Sequence, residues 1–273
     1  MKKGISDKFK YLKKLIAEQK SLLIAFSGGV DSSFLLKIAV DVLKEKTIAV
    51  TTHSAIYKTS ELEFSKNFAK KLKIKHIIIN VNELSNQEFA SNPYDRCYHC
   101  KSMLFDRLAE IAREHNLNKV ADGTNYDDIT DYRPGMTAAS EFNVFSPLKD
   151  AGLTKKDIRF LSHELNLPTW DKASQPCLST RFPYGTKIIE EKLALVEKAE
   201  DFIQGLGFKN FRVRISEDKA RLEIDKIEMN ELITEKLFKQ IETRLKEIGY
   251  KSVVLDPSGY RSGSMNHFLK SSQ

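Results

Sequence analysis

At 273 residues, 41% hydrophobic and 30% charged, the chain is long enough to bury one large core or two modest ones and reads as a globular protein. Its formal net charge of +7 suits anionic ligands such as nucleotides, but the lysines are spread along helices rather than gathered in one run, so nucleic acid is not an expected partner. No apolar run approaches the roughly 18 residues that span a membrane, the basic N-terminus lacks the apolar core of a signal peptide, and the three cysteines are too few and odd in number for a disulfide framework, so a cytoplasmic protein with reduced thiols is expected.

The first twenty residues, MKKGISDKFKYLKKLIAEQK, predict an amphipathic helix packing through Phe9, Leu12 and Ile16. Leu22–Phe26 is a short apolar strand. It runs into Ser27-Gly28-Gly29-Val30-Asp31-Ser32 and then into a helical pattern from Ser33. The glycines let amide groups approach a ligand closely, the serines add hydroxyl donors, and the helix start presents free N–H groups and the positive end of its dipole. Together these make a phosphate cradle. No Gly-Lys-Ser/Thr follows, which excludes the NTPase loop with a catalytic lysine. There is no G-x-G-x-x-G either, which excludes the dinucleotide fingerprint.

Further strands are expected at 47–52, 76–81 and 119–122, with a weak fifth at 144–146, and helices at 59–72, 99–115 and 154–166. This alternation predicts an α/β fold built on a doubly wound parallel sheet. Its ligands would sit at the carboxyl ends of the strands, where Ser27, Thr52-His53, Asn80 and Asp122-Gly123 fall. Residues 169–187 read as a linker or active-site loop. Beyond them a helix at 190–205, alternating strands at 211–215 and 220–225, helices at 228–234 and 236–248 and a strand at 250–255 form a smaller α/β unit. The expected domains are 1–186 and 187–273, the latter ending in a Gly/Ser-rich flexible tail.

Three further groups carry chemistry. Cys97-Tyr98-His99-Cys100, with Cys177 far downstream, could be a redox pair, but lacks a thioredoxin-like context, or half a zinc site, but lacks a second CxxC or His pair; three ligands of a 4Fe–4S cluster whose fourth iron stays open, and two buried cysteines and a loop cysteine with no joint role, fit equally well. Gly123, Thr124 and Asn125 form a strand-end turn that can approach adenine or ribose. The acidic residues Asp127, Asp128 and Asp131 beside it could hold Mg2+ or simply face solvent. Arg212 and Arg214 alternate on one strand face near Glu200, Glu223 and Asp225. Paired guanidinium groups suit a phosphate, although a solvent-exposed, salt-bridged face is the plainer expectation.

The SGGVDS string resembles the pyrophosphate (PP) loop of the adenine nucleotide α-hydrolase-like ATP pyrophosphatases. Taken with DGTNYDDITDYRPG, Ser146-Pro147-Leu148, PCLSTR and FRVR followed by RLEI, the whole chain resembles the LarE family, the ATP-dependent sulfur transferases of nickel-pincer nucleotide synthesis. That resemblance implies a function. The carboxylates of a pyridinium biscarboxylate mononucleotide are adenylated, with loss of pyrophosphate, and converted to thiocarboxylates. It places ATP on Ser27, Gly28, Gly29, Val30, Asp31 and Ser32, with Thr52, Gly123 and Asn125 beside it, and Mg2+ near Asp31. Asp31, Ser32 and Cys177 would be the catalytic residues. Arg181, Glu200, Arg212 and Arg214 would serve the substrate phosphate or a subunit interface, and a homohexamer is implied. Cys177 matches a cysteine whose sulfur is sacrificed in the best-known members. Those members lack the CxxC, so Cys97 and Cys100 make the chain resemble the three-cysteine branch, in which a 4Fe–4S cluster on Cys97, Cys100 and Cys177 takes sulfide or another sulfur donor. Related PP-loop enzymes thiolate tRNA, but the C-terminal unit shows no RNA-binding motif and no aromatic stacking pair.

Overall fold

The structure, a computed structural model, describes residues 3–130, 134–232 and 234–261. In chain order the elements are α1 (Lys3–Glu18), β1 (Leu22–Ala25), α2 (Val30–Leu43), β2 (Thr47–His53), α3 (Thr59–Leu72), β3 (Lys75–Asn80), α4 (Gln87–Ala90), α5 (Arg96–Glu114), β4 (Lys119–Ala121), α6 (Pro134–Glu141), α7 (Pro147–Asp150), α8 (Lys155–Glu164), α9 (Glu190–Gly205), β5 (Phe211–Ser216), β6 (Lys219–Ile224), α10 (Lys226–Leu232), α11 (Glu235–Ile248) and β7 (Ser252–Leu255). No helix among the described residues is long and apolar enough to cross a membrane. Two compact units result: residues 1–83 with 95–175, and residues 84–94 with 176–273.

In the first unit four parallel strands lie in the order β3-β2-β1-β4. The strands are apolar because helices cover both faces of the sheet. Side-chain alternation divides β1 between two cores. Leu22 and Ile24 join Leu12, Phe34, Leu36, Ile158 and Leu161 on one side, and Leu23 joins Phe105, Leu108 and Ile111 on the other. The chain winds outward from β1 through β2 to β3 and then returns to β1's other edge as β4. The loops after β1 and β4 therefore flank the point where strand order reverses, where open α/β sheets bind ligands.

The predicted fifth strand is reduced to one parallel bridge, Ala121 to Phe145. Asn143 just before it adopts a positive φ of 52° and Pro147 just after it opens α7, so no room is left for a ladder. The helix predicted from residue 99 starts at Arg96, which brings Cys97 and Cys100 inside its first turns.

One polar chain links β3 and β2 to the end of β1. His76 on β3 lies 2.8 Å from the Thr51 hydroxyl, which donates to the Phe26 carbonyl at 2.7 Å, just before the glycine loop. Burial and the nearby Lys66 hold the His76 pKa below its ordinary 6.5. The unfolded chain therefore takes up this proton first. The stability His76 protects is complete above the ordinary histidine value and declines as pH falls below it. Urea midpoints should drop as pH is lowered from 7 toward 5, and His76→Gln should flatten that part of the slope. An unchanged slope would place the control elsewhere.

The second unit holds a three-stranded sheet, β5-β6-β7, with β5 and β6 antiparallel and β6 and β7 parallel. Buried Leu193, Val196, Ile203, Val213, Leu222, Ile241 and Leu245 form its interior. The 84–94 segment belongs here through the Asn92 side chain, which donates to the Pro183 carbonyl at 2.7 Å, and through a 2.8 Å bond from Ile188 N–H to the Ala90 carbonyl. The Gly/Ser-rich tail lies outside the described residues.

Candidate functional site

The loop after β1 is built as an anion cradle. Gly28 has φ +75°, a conformation L side chains rarely adopt. A Cβ at Gly28 would also sit 2.8 Å from Ser65 Oγ and 3.1 Å from the Phe64 ring. Gly29 stands at the N-cap of α2 without a side-chain cap, so the first N–H groups of a 14-residue helix have no intrahelical partner and are placed to receive an anion. The hydroxyls of Ser27 and Ser32 lie 3.0 Å apart across the loop, and Ser32 also donates to the Gly29 carbonyl at 3.3 Å.

The turn after β4 closes on this loop. A Cβ at Gly123 would stand 3.0 Å from Ser32 N and 3.2 Å from its Cα. These are backbone atoms that cannot swing aside. Gly123→Ala should push the start of α2 outward and raise the KM for ATP about tenfold or more while leaving the Tm within a few degrees. An unchanged KM would show that the contact has slack.

The carboxylates of the acidic turn are engaged in hydrogen bonds that shape it. Asp122 accepts from the Thr124 and Ser146 hydroxyls at 2.6 and 2.8 Å, Asp128 accepts Asn125 N–H at 2.9 Å, and Asp127 accepts Lys155 N–H at 2.8 Å. Asn125 itself is buried and accepts Asp127 N–H at 2.9 Å. These carboxylates shape the turn that presents Gly123, and Asp131 lies outside the described residues. Thr52 sits half-buried near the carboxyl end of β2, and His53 pairs with Asn80 at 3.0 Å.

Asp31, in the first turn of α2, is the carboxylate suited to a cation. Its Oδ2 accepts from Lys155 Nζ at 2.5 Å, while its Oδ1 is buried with no hydrogen-bond partner. An orphaned carboxylate oxygen at a phosphate cradle fits a hard cation such as Mg2+.

Two lysines with no motif to mark them in the sequence reach this loop. Lys155 does so at Asp31. Lys172 donates to the Gly28 carbonyl at 3.1 Å and to Glu61 at 2.7 Å, and it lies 4.0 Å over the Phe64 ring. In a trans peptide the Gly29 N–H points opposite to that carbonyl, so Lys172 fixes the direction of a cradle donor. Arg159 of α8 holds the Lys172 carbonyl at 2.8 Å, so one segment supplies both cations. The short 3.0 Å pairing of Asp157 with Lys8 and the Thr154–Asp157 capping box anchor its start.

Cys97 and Cys100 stand three residues apart near the start of α5, one exposed and the other buried. Both belong to the first unit, and Cys177 belongs to the second. Neither unit by itself holds three thiols, and among the described residues no group of three His, Cys, Asp or Glu side chains is placed to hold a metal. The fit to a three-thiolate cluster is thus two ligands of three.

Cys177 is half-buried and its backbone is heavily braced. Its carbonyl accepts from Thr180 Oγ1 at 2.9 Å, Thr180 N at 3.1 Å and Arg181 at 3.2 Å. Arg181 is fully buried, grips Glu200 through two 2.8 Å bonds, and also holds the Pro176 carbonyl and Thr180 Oγ1 at 3.0 and 2.7 Å. Glu200 reaches onward to Val213 N–H at 3.2 Å.

The cationic face of β5, expected to face solvent, is buried: Arg212 is 7% and Arg214 9% exposed. α9 covers the strand through Glu200, and the turn around Thr180 takes Arg214 on its carbonyl at 2.7 Å. Arg214 also pairs with Glu223 at 2.6 Å. Arg212 bonds the Phe211 carbonyl at 2.5 Å and lies 4.8 Å over the Tyr260 ring. Burial, reinforced by the charge of Arg181, holds the Arg212 pKa below its usual range. Arg181, Arg212 and Arg214 gather buried guanidinium groups around the carboxylates of Glu200 and Glu223, donors of the kind that bind an anion.

The NAD synthase family model matches residues 5–103, which include the cradle. An uncharacterized protein of Synechocystis sp. is 39% identical across 97% of this chain and 99% of its own length. The pyridinium-3,5-bisthiocarboxylic acid mononucleotide synthase of Lactiplantibacillus plantarum is 35% identical across 95% of each chain. The glutamine-hydrolyzing GMP synthase of Campylobacter hominis is 26% identical across 73% of this chain and 43% of its own. With a PP loop at the switch point of a parallel sheet and 35% identity over 95% of its length to the bisthiocarboxylic acid mononucleotide synthase, the chain belongs to the LarE family of ATP-dependent sulfur transferases.

Proposed function

We propose that this chain uses ATP to adenylate a carboxylate of pyridinium-3,5-biscarboxylic acid mononucleotide and converts it to a thiocarboxylate in nickel-pincer cofactor synthesis, acting in the cytoplasm as a homo-oligomer, a hexamer by family resemblance. The observation that carries the reading is the Asp31 site. A cradle of helix-start N–H groups sits beside a carboxylate with one buried, unpartnered oxygen. The relative named for the bisthiocarboxylic product supports the substrate.

In this reading a substrate carboxylate oxygen attacks the α-phosphorus and pyrophosphate leaves. Val30, Asp31 and Ser32 N–H groups, with the hydroxyls of Ser27 and Ser32, take the charge that develops on the leaving phosphates. Thr52, Gly123 and Asn125 flank the nucleoside. Mg2+ bound at Asp31 would neutralise phosphate charge. Arg212 and Arg214 bind the 5′-phosphate of the mononucleotide, with Arg181 and Glu200 holding them and the Cys177 segment in register. Sulfur then displaces AMP from the acyl carbon.

The sulfur source is the finer part of the proposal. Cys97 and Cys100, with Cys177, would ligate a 4Fe–4S cluster, and such a cluster would supply an open iron for a hydrosulfide. The pairing of two thiols within one turn of α5 supports this.

The test is anaerobic incubation of the chain with Mg·ATP and the biscarboxylate mononucleotide, following AMP, pyrophosphate and thiocarboxylate. AMP that forms only with the mononucleotide is the expected result. AMP that forms with unmodified tRNA but not with the mononucleotide would overturn the reading in favour of a tRNA thiolase. Iron analysis of the same anaerobic protein tests the cluster. About four irons per chain, lost in Cys97→Ala, is expected, and no iron would remove it.

A further inference from the structure

Lys155 is the first residue of α8, and its position is set from behind. Thr154 caps the helix in a capping box with Asp157, Lys8 pairs with Asp157 at 3.0 Å, and Lys155 N–H donates to Asp127 at 2.8 Å. From that fixed start the side chain reaches Asp31 Oδ2 at 2.5 Å, a residue 124 positions earlier in the chain. Lys172 makes a useful contrast. It is gripped by Glu61, the Gly28 carbonyl and the Phe64 ring at once, which makes it a fixed strut. Lys155 sits at the rim with 35% of its side chain exposed, on a long flexible stem.

The two oxygens of Asp31 thus have different roles. Oδ2 carries an ammonium and Oδ1 is buried without a partner. A divalent cation on Oδ1 and an ammonium on Oδ2 of the same carboxylate repel one another at close range. The repulsion is relieved when phosphate oxygens arrive to share both cations. The helix-start N–H groups beside Asp31 are where such oxygens bind.

We propose that Lys155 makes metal binding at Asp31 conditional on nucleotide. It competes with a bare divalent cation for the carboxylate, and when the phosphate chain enters, it passes to the β- and γ-phosphate oxygens and leaves Asp31 to the cation. Lys155 is then a phosphate-binding residue of the adenylation step, and the pair guards the cradle against metal without nucleotide. This rests on the reading of Asp31 as the cation ligand of an ATP site. No bond is made or broken in the exchange; an ammonium moves from one anionic oxygen to another.

The proposal predicts effects of opposite sign. Mn2+, which can be counted by electron paramagnetic resonance, is titrated into the full chain alone and with α,β-methylene ATP, which cannot be split between those phosphates. In Lys155→Met and Lys155→Gln the affinity for Mn2+ alone should rise, and the affinity for α,β-methylene ATP in the presence of Mn2+ should fall. Each change should be about tenfold, the order of one charge-assisted hydrogen bond. Circular dichroism melts identify any variant that fails to fold, and the two substitutions guard against that. If both affinities fall together, or neither moves, Lys155 is an ordinary surface pair and the proposal is wrong. Asp31→Asn separates the underlying reading. If it binds Mn2+ with the methylene analogue as the wild type does, Asp31 is not the cation ligand and both ideas fail. If it loses that binding while the lysine variants behave as wild type, only the exchange fails.

Discussion

Glu200→Ala should destabilise the second unit by about 3–5 kcal/mol, the range for removing one partner of a buried ion pair. Glu200 is 1% exposed and its oxygens receive Arg181 through two 2.8 Å bonds and Val213 N–H at 3.2 Å. Truncation strands the fully buried Arg181 charge beside Arg212, whose guanidinium is already held below its usual pKa by burial and by Arg181. It also frees the turn that braces the Cys177 carbonyl. A fall in Tm on the order of 10 °C or more is expected. The stranded charge is the larger part of this. Replacing both partners at once, Arg181→Met with Glu200→Leu, should therefore recover much of the loss in stability while sulfur transfer stays impaired, because the Cys177 segment has lost the Arg181 bonds to the Pro176 and Cys177 carbonyls. Thermal melts of the single and double variants decide the matter, and a Glu200→Ala protein within about 1 kcal/mol of wild type would show that water reaches the cluster.

What could be read from the sequence was whatever local spacing encodes. The cradle is six consecutive residues between an apolar strand and a helical pattern, so Ser27 to Ser32 announce their geometry directly. The parallel sheet follows from apolar runs alternating with amphipathic helices. Long-range pairing left no such signal. Lys155 and Lys172 sit in an ordinary basic stretch, and their partners lie 124 and 144 positions away; only the fold brings α8 to the loop. The strict alternation in β5 showed that Arg212 and Arg214 share a face. It could not show that α9 and the turn at Thr180 cover that face, because coverage depends on elements outside the strand. The acidic turn stayed open for a related reason. Carboxylates that could bind a cation look the same in sequence as carboxylates that accept their own loop's N–H groups, as Asp122 and Asp128 do.

Cys177→Ala should abolish thiocarboxylate formation while sparing the first half of the reaction. The groups proposed for adenylation, Ser27 to Ser32 with Gly123, all lie in the first unit, and Cys177 lies in the second. Its removal leaves the three bonds to the residue-177 carbonyl intact, since Thr180 and Arg181 donate to backbone. The variant should therefore fold, bind ATP and release AMP and pyrophosphate from the mononucleotide, slowly, as water takes the place of sulfur on the acyl adenylate. A fall of about 100-fold or more in thiocarboxylate is the order expected when the attacking group is deleted. Cys97→Ala and Cys100→Ala separate the two sources of sulfur. If the cysteines carry a cluster, either variant loses iron and loses turnover with added sulfide. If Cys177 surrenders its own sulfur, its thiolate attacks the acyl carbon and AMP leaves. Loss of the Cα proton with cleavage of the Cβ–Sγ bond then releases the thiocarboxylate and leaves dehydroalanine. In that case both CxxC variants still give one product per chain, and the spent protein is lighter by the mass of one molecule of hydrogen sulfide. Full thiocarboxylate formation by Cys177→Ala would rule out both routes and assign the sulfur to another group.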